Sequence, residues 1–313
     1  MPGTIIVTGA AGGLGLAVAE TVLNRNESYN CLFTVRDKDA ARAKPLHDLI
    51  ASSSNNNEAS TPEIDLSRPD SIRAFATLIL NAAFFMEKGS LQFTQDDKDV
   101  KGFEMHFAVN YLANFLLTLL LLESMDKEHG RIPDKLKWDP EELAHPKGQV
   151  SGGDEAADAT RRYGTSKLSL VMFMHALQKR LNATSGLEKI CVLGVDPGGM
   201  IHDNIMRRAS ALQRHLLEPA FRPFIKVTNL LYPNEWIRTV QKSSNDIVRA
   251  ALQTDDPILG QYPKDAYLNG NETAESAAES KDEGKQKVLW EASLRYTRLD
   301  ETETALKRAT VVA

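Results

Sequence analysis

The sequence predicts an α/β fold in which helices pack on a parallel sheet. Three observations carry this. Apolar runs of strand length alternate with helical patterns along the chain. The first of these runs passes through a glycine-rich turn into a helix. The composition, 42% hydrophobic and 25% charged over 313 residues, is that of a globular protein long enough for one large α/β core. A disulfide-dense, collagen-like or wholly disordered chain is excluded.

Residues 4–7 read as the first strand and 13–23 as the helix after it. Residues 29–35 read as the second strand, 38–50 as a helix, and 52–60 as a polar loop rich in Ser and Asn. A short third strand falls at 63–66 and a fourth at 77–81. Two long apolar helices follow, at 103–125 and 159–182, then a buried strand at 190–195. A short helix at 246–253 and an edge strand at 267–269 come next. Residues 271–285 are acidic and poor in apolar groups, so they are expected to form a solvated linker to a closing amphipathic helix at 288–296. No internal repeat is visible, and residues 1–313 read as a single domain.

The net charge of −5 gives no electrostatic footing for nucleic acid, which needs a basic face. Cys31 and Cys191 sit in apolar segments and read as buried thiols of a reducing compartment, which is taken as cytoplasmic. The opening residues have no basic n-region and are not expected to be a signal peptide. The most apolar stretch, 112–122, is shorter than the ~20 residues a membrane span needs. Its apolar residues lie on more than one face, which fits core burial and a homodimer interface alike.

The first strand runs into Thr8-Gly9-Ala10-Ala11-Gly12-Gly13-Leu14-Gly15. In a strand-turn-helix unit, glycines let the backbone approach a pyrophosphate, and the helix N-terminus presents free N–H groups to it. The same glycines would also serve a tight turn with no ligand, but the context favours a dinucleotide. At the end of the second strand an acidic residue suits a ribose 2′-hydroxyl, and Arg suits a 2′-phosphate. Arg36 precedes Asp37 here, which favours NADP over NAD. Farther on, Tyr163 and Lys167 are four apart and share a helical face. An ammonium beside a phenol favours the phenolate and suits the pair to proton transfer at a carbonyl or alcohol. The histidines at 106, 129, 145, 175, 202 and 215 show no metal-ligand spacing, so no metal is expected, and His106 and His175 read as structural.

Together, Thr8-Gly9-x-x-x-Gly13-x-Gly15 and Tyr163-x-x-x-Lys167 resemble the short-chain dehydrogenase/reductase family. Further segments agree: Asp65-Leu66 resembles the adenine-contacting pair, Asn81-Ala82-Ala83 the Asn-Ala-Gly motif, and Asp196-Pro197-Gly198 the turn beside the nicotinamide. Val109-Asn110-Tyr111-Leu112 resembles the segment whose Asn holds a proton-relay water. The stretch from Gly102 to Thr118 is most similar to the branch of retinol dehydrogenases and protochlorophyllide reductase, as is Leu289-Trp290-Glu291. The resemblance implies a Rossmann-type, doubly wound parallel sheet in three αβα layers. It also implies an NADP-dependent oxidoreductase that interconverts a ketone and a secondary alcohol. Gly9, Gly13, Leu14, Gly15, Arg36, Asp65, Leu66, Asn81, Ala82, Pro197 and Gly198 would meet the cofactor, with Tyr163 and Lys167. Asn110, Tyr163 and Lys167 match three members of a catalytic Ser-Tyr-Lys-Asn tetrad.

The departures are as informative. Gly130-Arg131-Ile132 begins like the family's fifth strand and then turns into Pro133-Asp134-Lys135, which no central buried strand accommodates. Ser151 is the one serine at a plausible distance upstream of Tyr163, and it equally fits a polar glycine-rich loop. The crossover between 66 and 78 is barely as long as the ~10–12 residues such a connection needs. The sheet is therefore expected to be shortened or disturbed. Catalysis is expected to be weak unless Ser151, Thr165 or Ser166 supplies the missing donor, and Ser166 is expected to point away. The alternative is a catalytically silent nucleotide-binding relative that acts as a scaffold. Residues 200–241 are rich in large apolar side chains and read as a substrate lid, which suits a hydrophobic small molecule.

Overall fold

The computed structural model describes residues 3–53, 57–68, 91–94, 102–121, 140–146, 155–200, 234, 237–253, 256–260, 263–300 and 303–306. Strand β1 (Thr4–Val7) is a continuous apolar run with both faces covered, as a parallel sheet requires. It pairs in parallel with β2 (Asn30–Phe33), and β2 pairs in parallel with β3 (Glu58–Ser60). Helix α1 (Gly13–Leu23) connects β1 to β2, and α2 (Lys44–Ser52), entered through a 3₁₀ turn at Ala41–Ala43, connects β2 to β3. Val18, Ala19, Val22 and Leu46 close one face of this sheet.

The second half repeats the scheme. Strand β4 (Leu193–Asp196) leads into β5 (Gly199–Met200), which pairs in parallel with β6 (Ile237–Arg238). Strand β7 (Ala266–Asn269) pairs in parallel with β4 and antiparallel with β8 (Glu272–Ala274), the hairpin turning at Gly270 with φ +64°. Alternation along β4 shows that it is covered on both sides. A Cβ at Gly194 would lie 3.1 Å from Met174 of α5 (Glu155–Asn182), whereas Val195 packs with Ala250 of α6 (Val240–Leu252). Val248 of α6 enters the same core as α1 and β1, and the Thr21 and Ser244 hydroxyls meet at 3.2 Å. Helices α1, α2 and α6 thus form one layer.

The opposite layer is a larger core. Met105–Phe107, Ala108–Leu112 and Ala113–Leu121 run end to end as α3, whose middle stretch is π-helical. With α5 and α7 (Glu283–Thr297) it encloses Phe115, Phe173 and Trp290, and the short α4 (Pro140–Ala144) adds Ala144. This is the three-layer αβα arrangement expected from the sequence.

Several boundaries differ from the sequence reading. The third strand is Glu58–Ser60, not 63–66; of the latter only Glu63 bridges, to Val35, while Ile64 and Leu66 turn into the α3/α5 core. Residues 271–285 are not a linker: they contain β8 and a 3₁₀ turn at Ala278–Lys281, with Ser276 and Ser280 buried. Strand β7 is not an edge, since it has a neighbour on each side. Helix α6 starts six residues before the expected 246, because the Thr239 hydroxyl caps it by accepting from the Lys242 N–H at 3.2 Å. Leu112 to Leu119 are buried within one chain, which already accounts for the apolar faces of α3. None of the described helices is long and apolar enough to cross a membrane. Cys31 and Cys191 are free and buried. The fourth strand expected at 77–81, the start of the fifth at 130–132, and most of the 200–241 lid lie outside the described residues.

Candidate active site

The turn from β1 to α1 is shaped for an anion. Gly9 takes φ +64°, which a side chain disfavours, and its carbonyl accepts from the Gly12 N–H at 2.9 Å. A Cβ at Gly12 would press on that carbonyl at 3.1 Å. Gly12 is also the N-cap of α1, and no side chain caps the helix. The helix forgoes the ~1 kcal/mol that a Ser or Asp cap brings and leaves N–H donors at Gly13, Leu14 and Gly15 for a ligand. A dinucleotide pyrophosphate fits this cradle.

Beyond β2, Arg36 is exposed. Asp37 turns its carboxylate to its own loop, accepting from the Asp39 and Ala40 N–H groups at 3.0 and 3.1 Å. Asp37, Asp39 and Glu63 cluster here, all exposed, but Glu63 accepts from the Lys38 N–H and Asp39 pairs with the Lys38 ammonium at 2.9 Å. Asp65 likewise accepts from the Ser67 N–H at 2.9 Å, and the Leu66 side chain is buried.

Asn110 lies inside the π-helical stretch and is fully buried. Its amide donates to the Ser166 hydroxyl at 3.0 Å, and Ser166 donates in turn to the Tyr163 carbonyl at 2.7 Å. Ser166 is thus held against α3, three residues after Tyr163 and nearly one helical turn on, bonded to a backbone carbonyl and not to the phenol. Thr165 is also engaged within α5, donating to the Arg161 carbonyl at 2.6 Å. Among the described residues neither hydroxyl stands in for the missing serine. Ser151, Asn81 and Ala82 lie outside the described residues.

Tyr163 and Lys167 do share a face of α5, with the Lys167 ammonium 5.7 Å from the centre of the Tyr163 ring. The electrostatics run against the expectation of a phenol tuned down. Burial, and then the negative charge of Asp196, push Tyr163 above its ordinary value. Asp196 itself ends β4, where Asp196-Pro197-Gly198 turn with φ +71° at Gly198. The turn is held from behind. Asp196 accepts from the Gly198 N–H at 2.8 Å, and Ser243 donates to the Pro197 carbonyl at 2.6 Å. Buried Arg238 donates to the Asp196 carbonyl at 2.7 Å, and its stem lies 3.0 Å from where a Gly198 Cβ would sit.

Two groups near Tyr163 were not singled out from the sequence: Glu104 and Arg162, with His106 read there as merely structural. The Glu104 carboxylate accepts from the Phe107 N–H and holds His106 Nδ1 at 2.7 Å, and Arg162 approaches it at 3.6 Å. The signal was a carboxylate and an imidazole, Glu104 and His106, inside the apolar run 102–119.

The family model described as short chain dehydrogenase matches residues 3–132, ending where the fifth-strand pattern breaks. A short-chain dehydrogenase of Talaromyces variabilis is 36% identical, covering 97% of this chain and 98% of its own length. That alignment runs over 369 positions against 313 residues here, so the relative carries stretches with no counterpart in this chain. Retinol dehydrogenase 12 of Mus musculus is 28% identical over 85% of this chain and 78% of its own. The L-sorbose reductase of Gluconobacter frateurii, solved with NADPH and L-sorbose, shares the fold with a TM-score of 0.55 at 16% identity, covering 88% of this chain and 98% of that one. With its glycine turn, its Tyr-Lys face and a relative matched almost end to end, the chain belongs to the short-chain dehydrogenase/reductase family of oxidoreductases.

Proposed function

We propose that this protein is an NADP(H)-dependent oxidoreductase interconverting a ketone and a secondary alcohol on a hydrophobic small molecule. One observation carries the reading: Tyr163 and Lys167 share a face of α5, with the ammonium 5.7 Å from the ring centre, in a chain whose β1–α1 turn leaves its N–H donors open. The nicotinamide, when bound, would give or take the hydride. Tyr163 donates the proton to a carbonyl oxygen in reduction and removes it from an alcohol in oxidation. With the phenol pushed upward, the resting residue is protonated near neutrality, the form that reduction uses. Lys167, on the same face, binds the ribose, and Asn110 holds the two helices in register. Arg36 would take the 2′-phosphate, since the neighbouring carboxylates are already engaged by loop N–H groups and Lys38. The NADPH bound in the L-sorbose reductase supports this cofactor, and the retinol named for the retinol dehydrogenases supports a hydrophobic alcohol or carbonyl as substrate. Buried free thiols support a cytoplasmic location.

A second reading has its own support. With Thr165 and Ser166 engaged inside the helices, the substrate carbonyl has one polarising donor among the described residues. Loss of one such donor costs about 2.7–4 kcal/mol of transition-state stabilisation. A cofactor-binding scaffold follows if turnover is negligible. Titration with NADPH and NADH by nicotinamide fluorescence, then turnover on a panel of hydrophobic ketones, decides between the readings. Turnover supports the enzyme, binding alone supports the scaffold, and absence of binding overturns both.

A further inference from the structure

Glu104 and His106 are each 2% exposed and border Tyr163, yet the reaction as read above uses neither. A buried carboxylate is costly unless fully bonded, and this one is held at several points. Its Oε2 accepts from the Phe107 N–H at 2.9 Å, capping α3, and its Oε1 takes His106 Nδ1 at 2.7 Å. Its backbone N–H donates to the Ala144 carbonyl at 2.8 Å, so the residue is anchored to α4 as well. Two of these contacts lead toward Tyr163, through Arg162 beside it in sequence and through the His106 ring. Arg162, its neighbour on α5, lies 3.6 Å from Oε1. The His106 ring meets the Tyr163 ring edge to face, with centroids 6.4 Å apart and planes at 77°.

We propose that Glu104 and His106 are positioning residues for Tyr163: the carboxylate fixes the plane of the imidazole, and the imidazole fixes the orientation of the phenol ring. Arg162, drawn to the same carboxylate, holds the first turns of α5 against the start of α3. Tyr163 then has His106 of α3 and Lys167 of α5 at its ring and feels the charge of Asp196 from β4, while Glu104, the cap of α3, and Arg162 lie one contact farther out. The proposal rests on Tyr163 being the proton-handling group, and its main readout does not need turnover.

The test is an NMR titration of tyrosine labelled at the ζ carbon, with Tyr163 assigned by loss of its signal in Tyr163→Phe. His106→Ala admits water beside the ring, and the Tyr163 midpoint falls by roughly one pH unit as burial is relieved. His106→Phe restores a flat edge and returns the midpoint to within a few tenths of a unit of the parent. Where the parent turns over, kcat falls about tenfold in His106→Ala, while NADPH affinity is unchanged. An unmoved midpoint in His106→Ala overturns the proposal, as does a His106→Phe protein no better than His106→Ala. Should His106→Ala fail to fold, His106→Leu fills the space without a flat edge and is read in its place. A parent without turnover on any carbonyl sinks the enzymatic reading, while the titration still decides the positioning.

Discussion

The nucleotide end and the chemical end of this molecule treat their polar groups in opposite ways. At the β1–α1 turn, donors are left over: α1 has no side-chain cap, and Gly9 and Gly12 hold the backbone open. Around Tyr163, polar groups bond to one another, Asn110 to Ser166, Ser166 to the Tyr163 carbonyl, and Glu104 to His106. A site that captures an anion keeps its donors free for it. A site that holds one reactive group in place uses its donors on the frame. The first kind tolerates little side-chain bulk, and the second tolerates little loss of a bond.

That contrast can be broken by substitution. Tyr163→Phe is expected to cut turnover at least a hundredfold and leave NADPH affinity unchanged; steady-state kinetics beside a fluorescence titration checks both halves. Gly9→Val should do the reverse, since φ +64° is hostile to a branched residue. Its NADPH affinity should fall beyond about a hundredfold, measured on protein whose melting curve is still cooperative. Arg36→Ala should weaken NADPH about tenfold or more and spare NADH, because a charge-assisted contact to the 2′-phosphate is lost. Equal loss for both cofactors would remove Arg36 from its assigned role. Thr239→Ala deletes the cap of α6 and should cost about 1 kcal/mol in urea unfolding while NADPH affinity at the β1–α1 end holds.

The smallest effect concerns pH. Burial pushes the Cys31 thiol up to about 11 from its ordinary 9.0. The folded state prefers the neutral thiol, so its contribution is intact below about pH 9 and is lost as the pH rises toward 11. Cys31→Ala should flatten that part of the stability profile, followed by urea midpoints at stepped pH. Native Cys31 should also resist alkylation at pH ~8, where the thiolate is scarce.

The sequence made the nucleotide end legible because strand, turn and helix signal independently there, and β1 and α1 fall where the apolar pattern places them. It misled where backbone pairing does the work. Glu58-Ala59-Ser60 and Glu272-Thr273-Ala274 are short and polar, and their partners β2 and β7 make them strands. The apolar pattern at Ile64 and Leu66 was real, but it belongs to packing under α3. The Tyr163–Lys167 spacing was readable from helical geometry. The upward push on the phenol was not, because Asp196 lies 33 residues away in sequence and burial is a property of the whole fold.

The five-residue coil at Ala108–Leu112 is one residue wider than an ordinary turn of helix. Deleting a single codon there would close the wide turn into ordinary α-helix and leave Met105 and His106 nearly in phase, while Asn110 would lose its place in the wide turn. Phe115 and the residues beyond it would stay seated against Trp290. One genetic step there would loosen the bond between α3 and α5 at Asn110 and still keep the packing on either side of it.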